Sequence, residues 1–232
     1  MERRWEKLAA ATGIGFVALI LVSSFIVPEM IKIDDPVSKI ARHYRNHRTA
    51  LMWSGYLGGL AAVLFLWFAA TVASYLRRHG AVRLATTSVA GGVAAIGLAL
   101  AGGLAGGELA FRSGGVDAGS TRVLFDINQM TFVAIWFPLA VFVAAASIAG
   151  MRTGSLPGWL TRTGAVFAVA ALVAGSTWAR SGAWAPGGVF SYIVFLVFAA
   201  WTLALSVTLW MRVGEPEDMK AMERERPMAM TA

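Results

Sequence analysis

Cysteine is absent from the 232 residues, which excludes disulfides, thiolate metal sites, iron–sulfur clusters and a cysteine nucleophile. Charge is scarce. Only 14% of residues are Asp, Glu, Lys or Arg, against roughly 25% in a soluble domain, too few to cover a water-facing surface. The three histidines all lie outside the apolar runs, which argues against a bis-histidine haem inside a helix bundle. No lysine sits within such a run, so a retinal Schiff base has no anchor. Walker A and G-x-S-x-G motifs are missing, as are paired intramembrane aspartates and the charge rings or carbonyl filter of a channel. No internal repeat supports an inverted-repeat transporter.

What is present is hydrophobicity: 57% of the chain and a mean hydropathy of +0.65. Lipid must be the solvent for most of this chain, and its backbone must satisfy itself internally. The sequence predicts an all-α polytopic membrane protein. Six apolar runs are predicted spans, at about 8–27, 50–75, 85–109, 127–151, 159–178 and 189–211. The first follows a basic start (Glu2–Lys7) but is too long for a signal h-region and lacks an A-x-A cleavage site, so it reads as retained. The second ends at Leu76-Arg77-Arg78-His79-Gly80, with Gly80 suited to a left-handed cap. Pro138 predicts a kink in the fourth, and Ser120 is a candidate N-cap for a helix leading into it. Residues 212–232 read as a charged tail.

The net charge of +7 fits basic residues at helix ends better than nucleic acid, because no basic patch is interleaved with aromatics. With the N-terminus inside, twelve of the twenty Lys and Arg fall in cytoplasmic segments. That balance predicts both termini in the cytoplasm of a cell-membrane protein. Five of the eight on the outer side lie in or just before Asp34–Arg48.

That stretch is the longest polar one outside the tail. Asp35-Pro36 reads as a helix start, Asp capping the first amides and Pro at the first helical position. Val37, Ile40, Ala41 and Tyr44 then recur at helical spacing, predicting an amphipathic interfacial helix over 35–48. Lys39, Arg42, Arg45 and Arg48 are its candidate lipid-headgroup contacts. His43 and His47, four apart, have metal-ligand spacing, but the neighbouring arginines oppose a cation and no HExxH pattern is present. Surface histidines are the better reading.

A second polar group brackets the loop between the third and fourth spans. Glu108 precedes Arg112 by four residues, in the order that favours an ion pair. Arg122, Asp126 and Gln129 share one helix face, with Asn128 beside it. Ionisable groups at membrane depth usually face a cavity or a partner, so Glu108, Arg112, Arg122, Asp126 and Gln129 are a candidate outer-face ligand pocket. Arg180 and the Trp178/Trp184 pair are its candidate closure. The bland alternative is that all of these are solvated or paired at headgroup level. In the glycine-rich third span, Gly102/Gly106 and Gly103/Gly107 form G-x-x-x-G pairs, which predict close helix packing, within the chain or in an oligomer. Trp5, Trp53, Trp159, Trp178, Trp184 and Trp210 read as interfacial anchors; Trp67, Trp136 and Trp201 read as core packing.

Several short motifs carry one resemblance: Asp34-Asp35 with Ile40, Tyr44, His47 and Arg48; Leu76-Arg77-Arg78; Phe137-Pro138-Leu139-Ala140; and Leu156-Pro157-Gly158-Trp159. In order and spacing the chain resembles a loose group of uncharacterised bacterial six-span integral membrane proteins. The likeness implies topology and brings no activity.

Three function classes follow. The first is a non-enzymatic protein binding a lipid, small ligand or membrane partner at an outer polar site, for instance as an accessory subunit. The second is a small proton- or cation-coupled transporter using Glu108 and Asp126. The third is an interfacial metal-dependent enzyme using His43 and His47. No cofactor is expected.

Overall fold

The computed structural model describes residues 2–27 and 31–212, so the tail beyond Arg212 lies outside the described residues. Eight helices and no strands occur among the described residues: α1 (Glu2–Phe25), α2 (Val37–Asn46), α3 (Arg48–Arg78), α4 (Val82–Phe111), α5 (Ala118–Ala134), α6 (Trp136–Thr153), α7 (Gly158–Ala174) and α8 (Val189–Arg212). Five units are long and apolar enough to cross a bilayer: α1 from Arg4, α3, α4, the stacked α5–α6 and α8. α7 is apolar but has only 17 residues, a rise of roughly 25 Å against a hydrocarbon core of roughly 30 Å. The chain is therefore an all-α, polytopic membrane protein. Its outward residues agree: Leu104, Val166, Val169 and Trp67 are all more than half exposed, a surface that water would not tolerate.

The long helices close into a ring. α1 packs on α3, α3 on α4, α4 on α6, α6 on α7, α7 on α8, and α8 back on α1, while α5 lies against α4. Aromatic side chains fill the middle. Phe65 of α3 meets Phe16 at 4.9 Å, Phe142 at 5.2 Å and Phe198 at 6.0 Å between ring centroids, so one buried ring ties together four helices. Lipid gives these helices no hydrophobic drive to associate, so close backbone approach matters most. At Gly91 an added Cβ would lie 2.7 Å from both the Phe142 amide nitrogen and the Pro138 carbonyl oxygen. One turn away, the Ser88 hydroxyl donates to the Phe142 carbonyl at 3.0 Å.

Helix boundaries follow from local chemistry. α3 ends in a Schellman motif, with Gly80 at φ +86, its amide donating to the Arg77 carbonyl and that of Ala81 to the Leu76 carbonyl. Pro138 has no amide to offer the Ala134 carbonyl, and the helix breaks there, at Ile135. Two expected caps differ. Asp117, not Ser120, caps α5: its carboxylate accepts the Ser120 amide at 3.0 Å. Asp35 does not cap α2, whose N-cap is Pro36 without a side-chain bond. Trp136 and Trp201 are buried as expected. Trp67 instead faces outward at 58% exposure, because its position on α3 lies opposite the buried Phe65–Phe68–Val72 stripe.

Candidate functional site

The polar residues singled out in the sequence gather at one end of the ring, here the α2 end, opposite the His79–Ala81 turn. The Asp35 carboxylate accepts the Lys32 amide at 2.9 Å and the Lys39 ammonium at 3.0 Å. Bonding backwards to Lys32 closes a turn and leaves nothing for the first amides of α2, which explains the failed cap. The Lys32 amide bond, helped by the Lys39 and Lys32 charges, holds this carboxyl below the usual aspartate range. α2 then buries Ile40 and Tyr44 against Leu109 and Ala110 of α4 and Phe125 of α5. Burial pushes the Tyr44 phenol up to about 12.

Arg122 fastens this arrangement. Its guanidinium donates to the Ile33 carbonyl at 2.6 Å, the Asp35 carbonyl at 3.3 Å and the Asp126 carboxylate at 3.0 Å. A residue expected in a ligand pocket thus spends its donors on the segment leading into α2. Glu108 and Arg112 form the ion pair their spacing predicted, on the exposed end of α4. Gln129 lies near the α7–α8 loop, 3.8 Å from where a Gly187 Cβ would stand. Arg180 is exposed and makes no ion pair with a described residue. Trp184 donates to the Ser176 carbonyl at 2.9 Å and stacks on Phe190, while Trp178 is exposed. The expected pocket residues therefore fall into two separate ion pairs and a self-contained loop.

The glycine pairs divide as well. Gly102 and Gly106 face α5, where their Cβ atoms would meet Thr131 at 2.9 Å and Asn128 at 3.1 Å, and Asn128 donates to the Gly102 carbonyl at 2.8 Å. Gly103 and Gly107 face open space, with nothing within 4 Å. His43 is buried rather than on the surface as expected, because it follows Ile40 by three residues on the face that α2 turns into the fold, and its ring lies 4.9 Å from that of half-buried His47. No three His, Cys, Asp or Glu side chains converge among the described residues.

The remaining cations stand apart. Among the described residues, Lys39, Arg78, Arg112 and Arg122 each have a carboxylate partner, and exposed Arg42, Arg45 and Arg48, like Lys32 and Arg180 at the same end, have none. Four nearby acids are already committed, Asp35 to Lys39, Glu108 to Arg112, Asp126 to Arg122 and Asp117 to its cap, while Asp34 is exposed and makes no ion pair among the described residues. Below this basic edge, Arg48, Thr49, Met52, Trp53 and Tyr56 of α3 line an open recess of about 460 Å³. Trp53 and Tyr56 sit edge to face at 5.8 Å.

Reading the sequence missed Thr49, Met52 and Tyr56 as lining residues. Their signal, an i, i+4 repeat (48-52-56 beside 49-53) entering an apolar helix, is common at helix starts. It also missed a lock at the opposite end, where the Ser155 carbonyl accepts both the Tyr75 hydroxyl, at 2.6 Å, and the Arg212 guanidinium. That lock has no sequence signature, since its partners lie 80 and 57 residues apart. Family models, curated proteins and solved structures were all compared with this chain, and none matches it.

Proposed function

We propose that this chain is a six-span, non-enzymatic protein of the cell membrane that holds anionic lipid headgroups at its α2 end. That end faces outward and both termini lie in the cytoplasm. The observation that carries this reading is the trio Arg42, Arg45 and Arg48, exposed and without carboxylate partners among the described residues, while Asp35, Glu108 and Asp126 are each paired with another basic residue. Basic side chains at a membrane surface attract anionic lipid by roughly 1 kcal/mol each. α7, extended by the hydrogen-bonded turn at Ser176 and Thr177, serves as the sixth span. The basic balance of the sequence supports the orientation.

Binding is favoured over transport because Glu108 and Asp126, the carboxylates a coupled transporter would use, are each held in an ion pair with a residue four positions away. The accessory role has its own support. The open Gly103/Gly107 face of α4 is a surface on which a partner helix could approach closely.

Lipids retained through mild detergent purification test the proposal. The wild-type chain should retain phosphatidylglycerol in preference to phosphatidylcholine, and the triple variant R42Q/R45Q/R48Q should lose that preference. An unchanged lipid profile in the triple variant would sink it.

A further inference from the structure

We infer that the recess at the start of α3 is a discrete site for one anionic glycerophospholipid. Arg48 is the ligand of its phosphodiester, and Trp53 and Tyr56 flank the glycerol and first acyl carbons. This rests on the lipid-binding reading above and sharpens it from diffuse attraction to a single seat.

The recess holds hydrogen-bonding capacity that the protein does not use. Among the described residues, the Arg48 guanidinium has neither ion pair nor hydrogen bond, and the Thr49 hydroxyl, Trp53 indole N–H and Tyr56 hydroxyl have no hydrogen-bond partner. Buried Thr202 shares this lack of a partner, but several other helix threonines are bonded locally. Thr71, Thr86, Thr87, Thr131 and Thr208 each donate to the carbonyl four residues back. For Thr49 that carbonyl belongs to Arg45, across the break at His47 that separates α2 from α3. The break thus leaves the hydroxyl free for something outside the protein.

Arg and Trp can only donate, and Thr and Tyr can do so, so the complementary ligand is rich in acceptors. The polarity is also graded. Arg48, Met52 and Tyr56 follow at i, i+4 and i+8, so the wall runs from a cation through a thioether to an aromatic over roughly 12 Å of helix. An acceptor-rich anionic head joined to an apolar chain over that length describes a glycerophospholipid: the phosphodiester meets the planar Arg fork, and the ester carbonyls meet the Trp and Tyr donors. Tryptophan and tyrosine prefer that depth of the bilayer. The recess is open and lined by a single face of α3, so it suits a lipid that lies along the helix with its chains in the bilayer.

Native mass spectrometry of the full chain, released from bilayers of equal dioleoylphosphatidylglycerol and dioleoylphosphatidylcholine, tests this. The wild type should retain one phosphatidylglycerol. R48Q should weaken that retention roughly tenfold, the value of one charge-assisted hydrogen bond. R42Q should weaken it by less than R48Q because Arg42 does not line the recess, and R83Q, at an exposed position on the opposite end of the ring, by less than about twofold. R48K, which keeps the charge and loses the fork, and W53F, which keeps the ring and loses the N–H, should fall between. Equal losses for R48Q and R42Q, with the preference for anionic lipid intact, would overturn the discrete site and leave diffuse binding standing. Equal retention of the two lipids by the wild type would overturn both.

Discussion

Substituting Gly91 by alanine adds one methyl group at the place where the α4 backbone lies closest to α6. The new Cβ would stand 2.7 Å from the Phe142 nitrogen and 2.7 Å from the Pro138 oxygen. Ordinary contact begins at 3.4 Å, so the helices must part by about 0.7 Å. Both opposing atoms are backbone, one turn apart in α6, and no rotamer change relieves them. Parting the helices also stretches the Ser88 bond to the Phe142 carbonyl beyond its present 3.0 Å. Overpacking costs roughly 1–3 kcal/mol and the lost hydrogen bond roughly 1 kcal/mol. Alanine's better helix propensity returns up to about 1 kcal/mol. The net expectation is a destabilisation of roughly 1–3 kcal/mol. Gly97, two turns along the same helix with nothing within 4 Å, is the control: G97A should be neutral or slightly stabilising. Unfolding in mixed detergent micelles, followed by far-ultraviolet circular dichroism, compares the two. Equal midpoints for G91A and G97A would refute the claim that backbone contact sets the α4–α6 spacing.

Further outcomes are expected at the α2 end. R122Q should release the Ile33 and Asp35 carbonyls, and bonds from a charged donor are worth roughly 1.5–3 kcal/mol. Amide exchange over 33–40 should therefore speed up at least tenfold while the Phe65 region stays protected; unchanged exchange would count against the clamp. Asp35 titrates below its usual 3.8, so its contribution is complete above that value and fades as pH falls through the lower, folded value. Exchange at the 32–36 turn should rise only in that acid range, and D35N should remove the dependence. Because the chain has no cysteine, single cysteines report topology cleanly. An impermeant maleimide on intact cells should label S38C and leave G80C unmodified, and the reverse pattern would invert the proposed orientation.

The sequence revealed the membrane class and most helix bounds because apolar runs, Gly80 and Pro138 act through local chemistry. Pro138 even located the α5–α6 break, which falls where its missing amide leaves the Ala134 carbonyl unmatched. Side-chain partners were far less legible. Arg122 and Asp126 share a helix face, so their ion pair could be read, but the Ile33 and Asp35 carbonyls that claim the rest of Arg122 are 89 and 87 residues away. Asp35 looked like a forward cap because Asp-Pro favours one; its bond to Lys32 depends on a turn that no pattern announces. Two glycine pairs with the same spacing met different fates, since only the packing of α5 distinguishes Gly102/Gly106 from Gly103/Gly107.

The central claim is that arginines left without partners on α2 and α3 hold anionic lipid. It is tested most directly by the ratio of phosphatidylglycerol to phosphatidylcholine around the reconstituted protein, for wild type and R42Q/R45Q/R48Q, at low and high salt. The expected result is an enrichment that falls with the triple substitution and weakens with salt, as exposed charges are screened beyond roughly 10 Å at 0.1 M. A ratio that is the same for both proteins would contradict the claim.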